Sequence, residues 1–169
     1  MSLKITLNPD IIHQLDLSSI IQEIEPLLKD NNIVSQEQKL TFEINYPQEN
    51  NDPRELSEIP EIRLWFIRLD SLYPWFPFLL DWKNGELARY TAMLVPHEFK
   101  RNDGIVYNSE ALEIFVMNKI FTLNNWLKQQ NITGISRLKS MAQMLGYDID
   151  DSFFENLSKG QRAKGKGQR

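Results

Sequence analysis

The chain of 169 residues has no cysteine. Disulfides, thiol nucleophiles and thiolate-held metals are thereby excluded, and the composition suits a reducing, intracellular compartment. Histidine is nearly absent: only His13 and His97 occur, and neither stands in a ligand-spaced motif such as H-E-x-x-H. Asp148, Asp150 and Asp151 have a superficial likeness to a calcium loop, but the glycine at its sixth position and the closing glutamate are missing. No metal and no cofactor are expected. There is no G-x-S-x-G, no P-loop and no G-x-G-x-x-G. No apolar run reaches the ~18 residues that a membrane span needs. The opening "MSLKITLNPD" lacks the apolar core of a secretory signal, so a cytoplasmic location is expected.

What is present is ordinary for a globular protein: 41% hydrophobic and 25% charged residues. The length suits one domain with a sizeable core. The net charge of −4 conceals an asymmetry, because "KGQRAKGKGQR" at residues 159–169 carries five basic side chains and no acid. Taking those five from the total of 19 leaves 14 basic against 23 acidic side chains before residue 159, a net −9. An acidic body disfavours nucleic acid as a partner. The expected organisation is a single domain over residues 1–158 and a basic, disordered tail over 159–169.

Two stretches alternate as strands do. Leu3, Ile5 and Leu7 fall on one side, as do Leu40, Phe42, Ile44 and Tyr46. Between them Asn8-Pro9 opens a helical region, Ile20, Ile21, Ile24, Leu27 and Leu28 recur at helical spacing, and "KDNN" ends it. Two arrangements fit, a βαβ-like unit or strands paired antiparallel around a helix. Asp52-Pro53-Arg54-Glu55 has the logic of a capping box, and Pro60 restarts a helix. That helix carries one apolar stripe of Ile62, Trp65, Phe66, Leu69, Leu72 and Tyr73, with Leu64 and Ile67 outside it beside Arg63, Arg68 and Asp70. A helix follows Gly85 and closes at Pro96. "HEFKRNDGIVYN" reads as a loop with a short strand at Ile105–Tyr107. The longest helix starts at Asn108 or Ser109 and has two apolar stripes, Leu112–Val116–Ile120–Leu123–Leu127 and Ile114–Met117–Phe121, which predicts a central position. A helix ending at Gly146 and a last one at "DDSFFENL" complete the chain. The fold class is α+β: a small sheet with strands near 3–7 and 39–46, packed by a helix-rich C-terminal two-thirds.

"RLKSMAQMLGYD" has the pattern of a helix-turn-helix, yet the helix after it holds three acids and no base before Lys159, which is wrong for phosphate contacts. The concentrated feature is "SLYPWFPFLLDW" at residues 71–82. With Trp65 and Phe66 upstream it sets seven aromatic side chains within eighteen residues. Most are expected in the core. Pro74 and Pro77 break the helix, however, and loops lie at surfaces where Trp and Tyr anchor partners. The candidate partner-binding residues are Trp75, Phe76 and Trp82, with Arg68, Arg89, Tyr90 and His97 around them.

The blocks "DPRELSEIPEIRLWFIRLD", "YPWFPFLLDWKNGELARYTAMLVPHEF", "EALEIFVMNKIF" and "RLKSMAQMLGYDIDDSFFE" resemble the chlororespiratory-reduction assembly-factor family of cyanobacteria and chloroplasts. The resemblance runs over residues 38–155 and is strongest from Asp52 to Phe99. It implies a non-catalytic assembly factor for the hydrophilic arm of the photosynthetic NAD(P)H dehydrogenase-like complex. The implied client is the iron–sulfur I subunit, and the implied location is the cyanobacterial cytosol or, for plant relatives, the chloroplast stroma. No catalytic residue comes with the family, and no enzyme is expected. Two competitors remain: a small enzyme with a pocket of Asp, Arg and His groups, and a weak nucleic-acid binder acting through the basic tail.

Overall fold

The structure, a computed structural model, describes residues 3–29 and 39–166. The chain divides into two compact units, residues 1–132 and 133–169.

The first unit opens with strand β1 (Leu3–Leu7), helices α1 (Pro9–His13) and α2 (Ser18–Lys29), and strand β2 (Leu40–Ile44). The strands pair in parallel, in register from Leu3 opposite Leu40 to Leu7 opposite Ile44. A parallel pair requires a crossover, here α1 and α2, so of the two arrangements the βαβ-like unit is the one formed. Asn8 caps α1 by accepting from the Ile11 N–H at 2.9 Å, ahead of Pro9 at the first helical position. Asp30 to Asn32 of the expected "KDNN" stop lie outside the described residues. Ile5, Leu7, Leu40 and Phe42 turn inward, while Lys4 and Glu43 pair on the outer face at 2.7 Å.

The capping logic at residue 52 falls differently from expectation. The Asp52 carboxylate is held by its neighbour Arg54, through the backbone N–H and the guanidinium, and its pKa is lowered to about 2. The capping box forms three residues later. Glu55 and Glu58 exchange side-chain-to-backbone bonds around a 3₁₀ turn at Leu56–Glu58. Pro60 then starts helix α3 (Pro60–Leu72), which buries Ile62, Trp65, Phe66 and Leu69. Leu72, expected on that stripe, is 49% exposed. Ten residues at about 100° each leave it roughly 80° from Ile62, at the edge of the buried face.

Two 3₁₀ turns, Phe76–Leu79 and Trp82–Asn84, follow the prolines. Gly85, at φ +81°, makes the turn into α4 (Glu86–Leu94). Residues 97–107, read as a loop with one short strand, form a complete hairpin of β3 (His97–Lys100) and β4 (Gly104–Tyr107). Gly104 at φ +69° admits the turn, and pairing across it recruits "HEFK", which has no apolar alternation of its own. Helix α5 (Ser109–Gln129) is capped by Asn108. Val116, Ile120, Leu123 and Leu127 are buried, but in the second stripe Ile114 is 65% and Phe121 42% exposed. α5 is therefore one-faced rather than central.

The second unit holds α6 (Ile135–Met144) and α7 (Asp151–Lys166). Gly146 at φ +94° ends α6, with the Tyr147 N–H returning to the Ala142 carbonyl at 2.8 Å. Asp150 accepts from the Ser152 N–H, and Lys139 pairs with Asp151 at 2.7 Å. α7 continues through Lys166, across much of the segment expected to lack order. Gln161, Arg162, Ala163 and Lys164 are good helix formers, so the local preference supports the turn that apolar content does not.

The first unit's sheet has an edge to seal. On the side of β2 away from β1, the Leu40 carbonyl accepts from the Asp81 N–H at 3.0 Å. The Phe42 N–H donates to Glu86 Oε2 at 3.4 Å, and the Phe42 carbonyl accepts from Arg89 Nη1 at 2.7 Å. The backbone at Leu80-Asp81 and two side chains of α4 thus stand in for a third strand. Arg89→Ala is expected to cost about 1–2 kcal/mol in urea unfolding, because it orphans the Phe42 carbonyl and takes the paired cation from the buried Glu86 carboxylate. A loss no larger than that of Lys83→Ala, an exposed control, would show that the edge needs no seal.

Candidate partner-binding surface

The prolines that break α3 turn "SLYPWFPFLLDW" inward rather than outward. Phe76 is fully buried, with its ring 5.7 Å from Tyr90 and 5.8 Å from Phe42. Phe78, Leu79 and Leu80 are buried with it. Phe76 and Tyr90, expected at a binding surface, are core residues and present nothing to a partner. The reason is steric. A 3₁₀ turn starting at Phe76 places a bulky apolar run against the ring of Phe42, and burial of aromatic area outweighs display.

Trp75 and Trp82 remain half-buried. The Trp75 ring stacks on Trp126, centroids 4.8 Å apart and planes 9° from parallel. The Trp82 indole N–H donates to the Pro77 carbonyl at 2.8 Å. Each indole is thus held by one edge or face and retains an accessible part. The other candidates lie elsewhere. Arg89 belongs to the β2 edge. Arg68 is exposed and lines an open groove of about 700 Å³ with Leu15, Asp16, Leu17 and Leu72. His97 lines a second groove of about 630 Å³ with Pro60, Arg63, Leu64, Ile67 and Pro96. Neither groove includes Trp75 or Trp82, so the seven candidates do not form one site.

His97 also meets a serine. Its Nδ1 is 2.8 Å from the Val95 carbonyl, which can only accept, so Nδ1 carries the proton and Nε2 accepts from the Ser57 hydroxyl at 3.0 Å. The pair resembles a nucleophile and base. Yet Ser57 is buried and lines neither groove, and the imidazole is oriented by a carbonyl instead of a carboxylate. Its evident work is to tie the start of β3 to the turn before α3. Among the described residues, no three His, Asp or Glu side chains gather as a metal site, and no helix is long and apolar enough to cross a membrane.

At the carbonyl of Pro74, the residue before Trp75, lies a polar cluster that pattern reading missed. Lys119, 2% exposed, spends all three ammonium donors: on Asp70 Oδ1 at 2.6 Å, on Asp70 Oδ2 at 2.7 Å and on the Pro74 carbonyl at 3.0 Å. Asp70 also accepts from the Tyr90 hydroxyl at 2.7 Å. Burial pushes the Lys119 pKa down against the pull of Asp70. Burial, reinforced by the Asp70 carboxylate, raises the Tyr90 phenol well above 10. A signal was available: Lys119 stands at i+3 from Val116, on the face that Ile120 and Leu123 continue. A cation there must have a partner.

A family model described as chlororespiratory reduction 6 matches residues 7–156. No solved structure matches the chain.

Two measurements check the cluster. Lys119→Ala is expected to cost about 2–3 kcal/mol, below the 3–5 of a fully enclosed pair because Asp70 keeps some contact with water. Lys119→Arg, which keeps the charge but cannot reproduce the three-bond geometry, should fall between it and the native chain. The second concerns alkaline pH. Below pH 10 the Tyr90 phenol is protonated in both states and contributes no pH dependence. Above it the unfolded phenol ionises while the folded one holds its proton, so stability falls as pH rises. Tyr90→Phe should make that fall shallower without abolishing it, since Tyr73 and Tyr107 are raised too. An unchanged slope would remove Tyr90 as its source.

Proposed function

The chain belongs to the chlororespiratory reduction 6 family, and from that premise we propose that it is a non-catalytic holding factor for the iron–sulfur I subunit. The family is one of assembly factors, with a part in building the photosynthetic NAD(P)H dehydrogenase-like complex. In the proposed role the protein covers a surface of the I subunit, in the cytosol or stroma, before that subunit joins the hydrophilic arm, and then leaves. The observation that carries this reading is the extent of the match, residues 7–156 of 169.

The chemistry of the chain supports it. Without cysteine the factor cannot compete for cluster iron through thiolates. Its net −9 before residue 159 complements a basic client face and speeds encounter. Trp75 and Trp82, half-buried and held on one side, are aromatic anchors of the kind that dominate interfaces.

The test is capture of the I subunit from photosynthetic extract by the native chain and by Trp82→Ala and Trp75→Ala variants shown folded by circular dichroism. Loss of the I subunit with either variant supports both the client and the anchor. Capture by all three chains retains the client and moves the anchor elsewhere. Absence of the I subunit from the native capture at low salt overturns the reading.

A further inference from the structure

α3 has a second apolar line besides the one it buries. Pro60, Leu64, Ile67 and Ser71 follow one another at spacings of four, three and four, the interval of a coiled-coil seam. All four point to solvent, with Leu64 53% and Ile67 43% exposed. The helix stands between two open grooves. One is lined by Pro96 and His97, and the other by Leu15, Leu17 and Leu72. The face is apolar along its middle and flanked by charge.

We propose that this face is the seam of an antiparallel homodimer. The charges choose the occupant. A two-fold axis midway between Leu64 and Ile67 sets Leu64 of one copy against Ile67 of the other, and the reverse. The same axis brings Glu61 of each copy beside Arg68 of the other, two pairs of opposite sign on one flank. Parallel alignment brings opposite flanks together, Glu61 against Arg63 and Arg68 against Asp70, so each pair would draw on a side chain already engaged within its own chain, and only the antiparallel alignment sets Glu61 against Arg68. Neither Glu61 nor Arg68 forms a salt bridge or a hydrogen bond among the described residues; each has a longer-range attraction within the chain, Glu61 to Arg54 and Arg68 to Asp16. On the other flank Arg63 and Asp70 also oppose with unlike sign. They are already engaged, Arg63 with the Ser57 and Ala92 carbonyls and Asp70 with Lys119 and Tyr90, and they add little.

A seam two turns long makes a small contact, so dimerisation is concentration-dependent. Sedimentation equilibrium of the full chain over rising concentration reads it without any client present, so its outcome is separate from that of the capture experiment. The native chain is expected to pass from monomer to dimer, and Leu64→Lys to remain monomeric. Glu61→Arg and Arg68→Glu should each weaken the dimer by about tenfold, since attraction becomes repulsion at both symmetry-related pairs. The double variant Glu61→Arg, Arg68→Glu should return to native strength. Circular dichroism confirms that each variant folds, as exposed positions permit. A native chain that is monomeric up to about 1 mM overturns the proposal. So does a dimer indifferent to Leu64→Lys, or a double variant that stays as weak as the single ones.

Discussion

The fold of the first unit depends on how one strand disposes of its outer edge. A two-stranded parallel sheet gives each strand one partner, and a buried strand cannot leave the other side of its backbone unpaired. Phe42 meets this constraint with its backbone and its ring at once. Its N–H and carbonyl are taken by Glu86 and Arg89 of α4. Its ring lies 6.0 Å from Trp65, 5.0 Å from Phe66 and 5.8 Å from Phe76. A single residue thus joins the βαβ-like unit to α3, to the proline-broken segment and to α4. The aromatic concentration in the sequence is explained by this junction: the rings gather where four elements meet and no larger sheet supplies packing area.

What was legible in the sequence was what local periodicity encodes. The alternation of Leu3, Ile5 and Leu7 and of Leu40, Phe42 and Ile44 located both strands, and the stripe Ile62–Trp65–Phe66–Leu69 located the buried face of α3. Parallel pairing was not legible, because it is a property of the crossover and not of either strand. The hairpin at His97–Tyr107 was half-legible for a related reason. Gly104 and the apolar Ile105-Val106 signal one strand, whereas "HEFK" becomes a strand only by pairing. Phe76 was misread because proline marks the end of a helix but says nothing about which way the chain then turns. Lys119 was overlooked because a lysine is normally a surface residue. Its position within an apolar stripe carried the information.

The inward turn at Pro74 also decides what is left for the surface. Phe76, Phe78, Leu79 and Leu80 of the aromatic run go into the core, and the exposed apolar residues include Leu64 and Ile67 on α3 and Ile114 and Phe121 on α5. Aromatic density in a sequence marks the hardest packing problem. Exposed apolar residues at regular helical spacing, outside the stripe that packs the core, are the better mark of a surface held for another chain.

The buried cation bears on the proposed anchor as well as on stability. Lys119 fixes the Pro74 carbonyl, and Pro74 precedes Trp75, whose ring rests flat on Trp126. Asp70 anchors the same ammonium to α3 and, through Tyr90, to α4. The backbone just before the indole is therefore held by a charge-assisted network, and the indole itself by a stacked ring. A side chain so constrained loses little rotamer freedom when a partner covers it, and that entropy is among the larger costs of association. A buried charged cluster is a poor device for stability alone, since an apolar side chain of similar volume often serves as well. In the proposed role it has a second use, the pre-ordering of Trp75, which follows the Pro74 carbonyl that Lys119 holds and which the fold leaves partly in water.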